Sequence, residues 1–159
     1  PQARVIRAKP NLPRVIGEGI TALAKGFFAD DNDLKIAIDM FAVFGPAVTI
    51  EKEEFINAVT AISGSGPAYL FYFVMAILEA AKELDLDKDT ANKLVYHTIA
   101  GSMNLLNKEN FDAEGLIGKV ASKGGTTEAA LKIFDESKMN KIILNAIMAA
   151  YKRAGELSR

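Results

Sequence analysis

The 159 residues are enough for about one domain, and half of them are apolar while a quarter are charged, which allows a buried core. The formal net charge is -1, so an electrostatic nucleic-acid-binding surface is not expected. Cysteine is absent and there is a single histidine, which excludes disulfides and thiolate metal sites and is typical of a reducing compartment. We therefore predict no bound metal.

The sequence has no segment typical of a signal peptide or a membrane span. Its longest apolar run covers residues 67–78 and stops before Glu79, short of the roughly 18–20 residues that a bilayer requires. We therefore expect no membrane partner. The first residue is Pro1 instead of methionine, which favours a chain that starts inside a longer protein.

Residues 1–51 carry a mixed pattern of short strands and one helix. β-like runs cover residues 4–8, 19–24 and 47–50, and prolines or glycines interrupt the chain between them. Residues 33–44 have apolar side chains at helical spacing, namely Leu34, Ile38, Phe41 and Phe44. The order strand, strand, helix, strand indicates a piece of an α/β sheet that is too small to close a core alone.

From residue 52 onward the pattern predicts helices only. They cover residues 53–62, 67–84, 87–107 and 113–121, and two more begin at Thr126 or Thr127 and at Ser137. Asp87 suits the N-cap of the third of these helices. The helix at 67–84 starts with a favourable Pro67 and is apolar on every side through Leu78, which predicts burial all round. A domain this small cannot easily enclose it, so a partner subunit is expected to cover it.

Residues 63–69, with the sequence SGSGPAY, form the first candidate for a binding element. Gly64 and Gly66 permit positive φ and a close approach of the backbone to a ligand. A turn that only lets two helices pack closely is the structural alternative, and spacing alone favours it. The glycine pair is not a dinucleotide fingerprint, because Tyr69 takes the third glycine position and a helix instead of a strand precedes it.

Residues 121–128, with the sequence ASKGGTTE, form the second candidate. Two glycines before a helix start predict a row of unpaired backbone amides, and the helix dipole adds positive potential there. Such a row suits a carboxylate or a phosphate, with the hydroxyls of Ser122 and Thr127 as further donors. The structural alternative is an ordinary loop with a threonine N-cap, and the segment taken alone favours that alternative.

Two further features are weaker. Residues 8–13, with the sequence AKPNLP, form a rigid loop after a strand, and loops at the carboxyl ends of such strands face the ligand crevice of open α/β sheets. A plain connector is the better interpretation of this loop alone. His97 lies in the middle of a predicted helix beside Tyr96, which favours a structural or surface histidine over a metal ligand.

Together, these motifs resemble those of pyrroline-5-carboxylate reductases. The order and spacing are similar to that family over essentially the whole chain: Ala8-x-Pro10-Asn11-x-Pro13, Gly17-Glu18-Gly19, SGSGPAY at 63–69, and Ser122-x-Gly124-Gly125-Thr126-Thr127. The resemblance implies a mainly α fold, in which the remnant of an α/β Rossmann-type sheet (residues 1–51) precedes a helical dimerisation and substrate-binding domain (residues 52–159). It also implies a cytoplasmic enzyme of proline biosynthesis, which reduces 1-pyrroline-5-carboxylate to L-proline with NADPH or NADH.

The resemblance also implies site residues by position. Thr127 is the expected catalytic residue, through a hydrogen bond to the ring nitrogen of the substrate. The expected substrate-binding residues, which hold the carboxylate, are Ser122, Gly124, Gly125, Thr126 and Thr127. The expected cofactor-binding residues, which border the nicotinamide or back the pocket, are Ala8, Lys9, Pro10, Asn11, Ser63 and Gly64. Family members pair through the helical domain, so a homodimer is expected, with further assembly of dimers left open.

Departures from the family pattern limit these expectations. The family usually has methionine at Lys9, threonine at Leu12 and proline at Lys123, so the nicotinamide contacts and the carboxylate site differ. The nucleotide-binding βαβ unit with its glycine-rich turn is missing, so we expect the 159 residues alone to be inactive. A non-catalytic relative that acts as a helical dimerisation or small-carboxylate-binding module is the alternative function. A plain helical dimer without a ligand site is a third hypothesis.

Overall fold

The computed structural model describes residues 3–158, most of which are helical. The strands are β1 (Ile6–Pro10), β2 (Thr21–Lys25) and β3 (Ala47–Ile50). The helices are α1 (Asp31–Phe41), α2 (Ile56–Val59), α3 (Gly66–Glu83), α4 (Lys88–Lys108), α5 (Ala113–Val120), α6 (Thr126–Glu136) and α7 (Met139–Leu157). A small sheet followed by helices only is the predicted fold class, and it is confirmed.

β2 is the central strand of the sheet. It pairs antiparallel with β1 and parallel with β3, in registers that set Lys9 opposite Ala22 and Ala22 opposite Val48. The first four residues of β2, numbers 21–24, are at most 3% exposed. Such a continuous buried run is typical of a strand that is covered on both faces.

Alternate residues of β1 face two different helical layers. Ile6 lies beside α1, where it lines an apolar groove together with Ala37 and Phe41. Lys9 points to the opposite face and lies against Gly64, which precedes α3. The two-residue period of a strand therefore separates an apolar side of β1 from a side that carries basic residues.

Aspartates cap the starts of α1, α4 and α5. At α1 the Asp30 carboxylate accepts from the amide of Asp33, and the Asp33 carboxylate accepts from the Asp30 amide in return. At α4 the Asp87 carboxylate accepts from the amides of Asp89 and Thr90, at 3.1 and 3.0 Å. The predicted N-cap at Asp87 is confirmed.

Replacing Asp87 by alanine should lower stability at neutral pH and remove part of the acid sensitivity of the fold. Hydrogen bonds from Thr90 lower the pKa of the Asp87 carboxyl below its ordinary value of 3.8. A pKa that is lower in the folded chain stabilises the fold above the unfolded value, and this contribution is lost as the pH falls through the folded pKa. Urea unfolding at about pH 7 and about pH 3 should therefore show a smaller difference between wild type and Asp87→Ala in acid.

The control for this experiment is Asp39→Ala, which removes an exposed carboxylate that has no ion pair among the residues described. It should change the free energy of unfolding little at either pH. An equal loss of stability for Asp87→Ala at both pH values would contradict the assigned role of the ionised cap.

The helix predicted to run through Phe44 ends earlier. α1 stops at Phe41 and the chain continues as the 3-10 turn Ala42–Phe44. Gly45 follows with φ 118°, and a Cβ at this position would collide with the carbonyl oxygen of Gly19. The chain turns here because only glycine combines that φ with such a close backbone approach.

The last helix begins at Met139 and not at the predicted Ser137. Lys138, between them, has φ 54°, which lies outside the right-handed helical region. At the other predicted ends of α3, α4, α5 and α6, structure and prediction differ by one residue or less. Helical periodicity therefore predicted these helix ends closely. The positive φ of Lys138 could not be predicted, because lysine is not a residue type that favours it.

Helix α3 exposes a broad apolar surface. Phe71, Tyr72 and Phe73 are 55%, 71% and 40% exposed, and Ala81 is the buried residue of this helix. Burial all round, as predicted from the sequence, is therefore not reached within one chain. An exposed apolar surface of this kind marks an interaction site, and it is the surface that a second copy is expected to cover.

The helical stretch Glu53–Glu83 is long and apolar enough to cross a membrane by length and composition. The sequence predicted no such segment, because its longest uninterrupted apolar run, residues 67–78, is too short for a bilayer. Length and composition do not separate a membrane span from a helix that is buried in an assembly, since both are apolar all round.

The described residues form two compact units. One contains residues 3–70 with 144–158, and the other contains Phe71–Ile143. The first unit holds the sheet, α1, α2 and most of α7, and the second holds α4, α5 and α6. The predicted division into residues 1–51 and 52–159 was based on the sequence pattern, whereas these units are defined by contacts between residues. The predicted domain boundary stays a prediction.

Candidate functional site

Ser63 and Gly64 end a π-helical turn, Thr60–Gly64, that joins α2 to α3. The Ser65 amide donates to the Thr60 carbonyl at 2.8 Å, which is the five-residue spacing of such a turn. A tight loop with positive φ was expected here, but neither Gly64 nor Gly66 has a positive φ, because the chain stays helical. π turns within helices are frequent at functional sites.

The side chain of Lys9 lies against Gly64. A Cβ at Gly64 would be 3.2 Å from Cε and 4.0 Å from Nζ of Lys9, so a larger residue would press on the lysine stem. The end of β1, which was predicted to border the nicotinamide, and the π turn, which was predicted to back the pocket, are therefore in contact. Glycine serves here to let a strand and a helix approach each other closely.

Asn11 fixes the loop that follows β1. The backbone amide of Asn11 donates to the Ile20 carbonyl at 3.2 Å, and its side-chain oxygen accepts from the Ile20 backbone amide at 3.0 Å. Ala8 and Pro10 are held within the same sheet edge by pairing with β2. The side-chain oxygen of Asn11 thus has a structural partner, while its NH₂ group has none in the described part of the chain.

An apolar groove of about 280 Å³ lies between the sheet and the helical segment before α3. Its lining residues are Ile20, Ala22, Val48, Ala58, Val59, Ile62 and Ser63. The strand register places Lys9 beside Ala22. Apolar walls with one hydroxyl and a nearby cation suit the face of an aromatic ring that carries a polar substituent.

The second predicted cluster lies where Gly124 and Gly125 lead into α6. The Gly124 amide donates to the Glu128 carboxylate at 2.6 Å, and the Gly125 amide donates to the Ser122 carbonyl at 3.0 Å. The predicted row of unpaired amides is therefore shorter than expected, because these two amides have partners within their own loop.

Three amides remain at the start of α6. Those of Thr126, Thr127 and Glu128 donate no hydrogen bond within residues 3–158. Gly125 is the N-cap, so the alternative interpretation of a threonine N-cap is wrong. Free amides at the positive end of a helix dipole form a place where a small anion can bind, and those of Thr126 and Thr127 come first in this helix.

Ser122 is held over this helix start by the lack of a side chain at Gly125. A Cβ at Gly125 would lie 2.5 Å from the Ser122 Oγ and 3.0 Å from its carbonyl oxygen. Gly124 has φ 72°, which the loop needs in order to turn back. Ser122 is exposed and Thr127 is half-buried, so both residues lie near the surface at this helix start.

Glu128 belongs to this loop and was given no role from the sequence. It is the third residue of α6, and its carboxylate binds the amide of Gly124. A glutamate three residues after a helix N-cap is a known capping pattern, so the spacing of Gly125 and Glu128 could have identified it. Its charge sits next to the free amides and opposes the binding of an anion.

Replacing Glu128 by glutamine should strengthen the binding of a small carboxylate such as L-proline. The glutamine side-chain oxygen can still accept from the Gly124 amide, while the repelling charge is removed. We expect the Kd to fall about two- to fivefold, equivalent to roughly 0.4–1 kcal/mol for a solvent-screened charge. Calorimetric titration measures it, and Glu136→Gln at the other end of α6 is the control. Weaker binding by Glu128→Gln would contradict the location of the anion.

His97 lies on the exposed surface of α4 in edge-to-face contact with Tyr96, at 5.1 Å between ring centroids. The sequence favoured a structural or surface histidine here, and the structure places it at the surface. Among residues 3–158 no group of three histidine, aspartate or glutamate side chains is arranged to hold a metal ion.

Comparisons with known proteins agree on one family. The family model described as "Pyrroline-5-carboxylate reductase dimerisation" matches residues 53–157. Pyrroline-5-carboxylate reductase 2 of Bacillus subtilis is 36% identical over 153 residues, which are 96% of this chain and 55% of that protein. The chain therefore spans a little over half the length of this relative.

Two solved structures share the fold. A pyrroline-5-carboxylate reductase from Coxiella burnetii superposes with a TM-score of 0.92 at 34% identity, over 99% of this chain and 58% of that one. The pyrroline carboxylate reductase of Plasmodium falciparum, solved with NADP bound, has a TM-score of 0.92 at 28% identity, over 98% and 59%. The predicted family is confirmed: the chain belongs to the pyrroline-5-carboxylate reductase family, with the dimerisation domain of that family at residues 53–157.

Proposed function

We propose that this chain is the substrate-binding and subunit-pairing part of an enzyme that reduces 1-pyrroline-5-carboxylate to L-proline with NADPH or NADH. Its family membership supports the reaction, and the two free amides of Thr126 and Thr127 are the observation that carries the site. An enzyme for a small cyclic imino acid needs a fixed anchor for the one carboxylate of its substrate, and these amides provide such an anchor.

The carboxylate binds to the amides of Thr126 and Thr127 and to the Ser122 hydroxyl. Gly124 and Gly125 shape the loop instead of donating to the ligand, since their amides already have partners. Thr127 is half-buried in the first turn of α6, and its hydroxyl can donate to or accept from the ring nitrogen. Thr127 therefore orients the C=N bond, and a substrate that arrives protonated needs no strong acid from the protein.

The nicotinamide end of a cofactor fits the residues at the end of β1. Gly64 lets the Lys9 side chain lie against the π turn, and the adjoining groove is apolar with Ser63 at its rim. The described residues contain no glycine-rich turn between a strand and a helix, so a diphosphate has no cradle here. The cofactor supplies the hydride when bound, and Ala8, Lys9, Pro10, Asn11, Ser63 and Gly64 position its ring and exclude water.

The partners follow from the same proposal. The apolar surface of α3 pairs with a second copy, which makes the protein a homodimer and accounts for the hydropathy of the stretch Glu53–Glu83 without a membrane. The near-neutral charge gives no basis for nucleic-acid binding. A cytoplasmic location suits an enzyme that draws on the NADPH pool.

Two measurements test the proposed function. L-proline should raise the melting temperature of the 159-residue chain, because a ligand that binds only the folded state stabilises it by mass action. In the protein expressed from the whole reading frame, 1-pyrroline-5-carboxylate should cause oxidation of NADPH or NADH, followed at 340 nm, while the 159 residues alone should be inactive. A melting temperature that does not change with L-proline, together with no oxidation of NADPH or NADH, would contradict the proposal.

A non-catalytic module for dimerisation or small-carboxylate binding is the second candidate. The match of residues 53–157 to a dimerisation model is the observation that favours it. It predicts that L-proline raises the melting temperature while the product of the whole reading frame oxidises neither NADPH nor NADH. The two candidates therefore differ in turnover and agree on carboxylate binding.

A further inference from the structure

Lys9 is a half-buried cation at the junction of the sheet and the π turn. Its stem lies against Gly64, and the register sets it opposite Ala22, whose side chain lines the apolar groove. The ammonium group therefore lies at the margin of an apolar surface, where a charge is screened less than in open water.

The neighbouring basic residue on the same face of β1 has an ion pair, and Lys9 has none among the described residues. Arg7, two residues earlier, donates to the Glu53 carboxylate at 2.7 Å. Lys9 makes no ion pair and no hydrogen bond with any residue that the structure describes. The positive charge of Lys9 is therefore not neutralised within the fold and acts on whatever binds beside Gly64.

We propose that Lys9 makes the site discriminate between the oxidised and the reduced nicotinamide. This inference rests on the proposed function, which places the nicotinamide ring beside Gly64. The oxidised ring carries a positive charge and the reduced ring does not. A lysine ammonium that no carboxylate neutralises repels the oxidised form and leaves the reduced form unaffected. Lys9 is thus a specificity-determining residue that favours uptake of NAD(P)H and release of NAD(P)⁺.

The test compares cofactor affinities in the protein expressed from its whole reading frame. The Kd of NADPH is measured by fluorescence titration and that of NADP⁺ by calorimetry, for wild type and for Lys9→Met, which keeps the length of the side chain and removes the charge. The ratio of the NADP⁺ Kd to the NADPH Kd should fall about tenfold in Lys9→Met, equivalent to about 1.4 kcal/mol. Product inhibition by NADP⁺ should increase accordingly.

Two variants control the experiment. Lys9→Arg keeps the charge and should keep the ratio of the two dissociation constants close to that of wild type. Lys25→Met removes a lysine from the far end of the neighbouring strand, where it pairs with Asp31, and should leave the ratio unchanged.

The possible failures are distinguishable. If the wild-type protein binds neither cofactor and shows no turnover, the proposed function fails and this inference fails with it. If wild type binds NADPH but the ratio is the same in Lys9→Met, only the inference is overturned. A raised KM for 1-pyrroline-5-carboxylate with an unchanged ratio also overturns it, since Lys9 would then contact the substrate.

Discussion

Phe73→Asp should convert the dimer into monomers. Phe73 lies on α3, is 40% exposed within one chain and belongs to the apolar surface that includes Phe71 and Tyr72. A carboxylate at the centre of such a surface would be buried without a partner, which costs several kcal/mol per subunit. Sedimentation velocity or light scattering at micromolar concentration measures the change of mass directly.

The matched control for this prediction is Phe27→Asp. Phe27 is 95% exposed in the turn between β2 and α1 and does not belong to α3, so the same chemical change should leave the dimer intact. Circular dichroism checks that both variants keep their helices. A folded, dimeric Phe73→Asp protein would show that α3 does not form the subunit interface.

Thr127→Ala should reduce kcat/KM for 1-pyrroline-5-carboxylate about 100-fold, or roughly 2.7 kcal/mol of transition-state stabilisation. The change removes the hydroxyl that we place on the ring nitrogen and leaves the Thr127 amide for the carboxylate. Thr127 is half-buried in the first turn of α6, where alanine is well tolerated, so the fold should persist. The assay uses the protein expressed from its whole reading frame.

Thr127→Ser keeps the hydroxyl and is the control, and it should retain most of the activity. Thermal melting of both variants separates a catalytic effect from a loss of folding. Normal turnover by Thr127→Ala would remove Thr127 from its proposed catalytic role, although the carboxylate site at the neighbouring amides would still stand on its own observation.

Local patterns predicted the elements of this fold because each element depends on neighbours in sequence. Residues 47–50 form β3 with the predicted bounds, and Asp87 caps α4 through amides two and three residues away. α6 begins at Thr126, as the glycine pair before it indicated. In each case spacing of apolar side chains or a capping residue determines the structure locally.

The sequence patterns did not predict contacts between residues that are far apart in the chain. The approach of Lys9 to Gly64 joins residues 55 positions apart, and it shows why glycine is needed in a turn that stays helical. The glycine loop before α6 was predicted as a row of free amides, yet Glu128 and the Ser122 carbonyl occupy two of them. Residue types alone do not decide which acceptor in a loop binds a given amide, although the spacing of Gly125 and Glu128 indicates a capping glutamate.

The start of α6 can be examined directly by nuclear magnetic resonance. L-proline is titrated into the ¹⁵N-labelled chain, and the backbone amide signals of Thr126 and Thr127 are followed. Both should shift in a saturable way, with smaller changes at Gly124, whose amide stays with Glu128. Unmoved Thr126 and Thr127 signals, in a sample where proline binding is seen elsewhere or not at all, would contradict a carboxylate site at this helix.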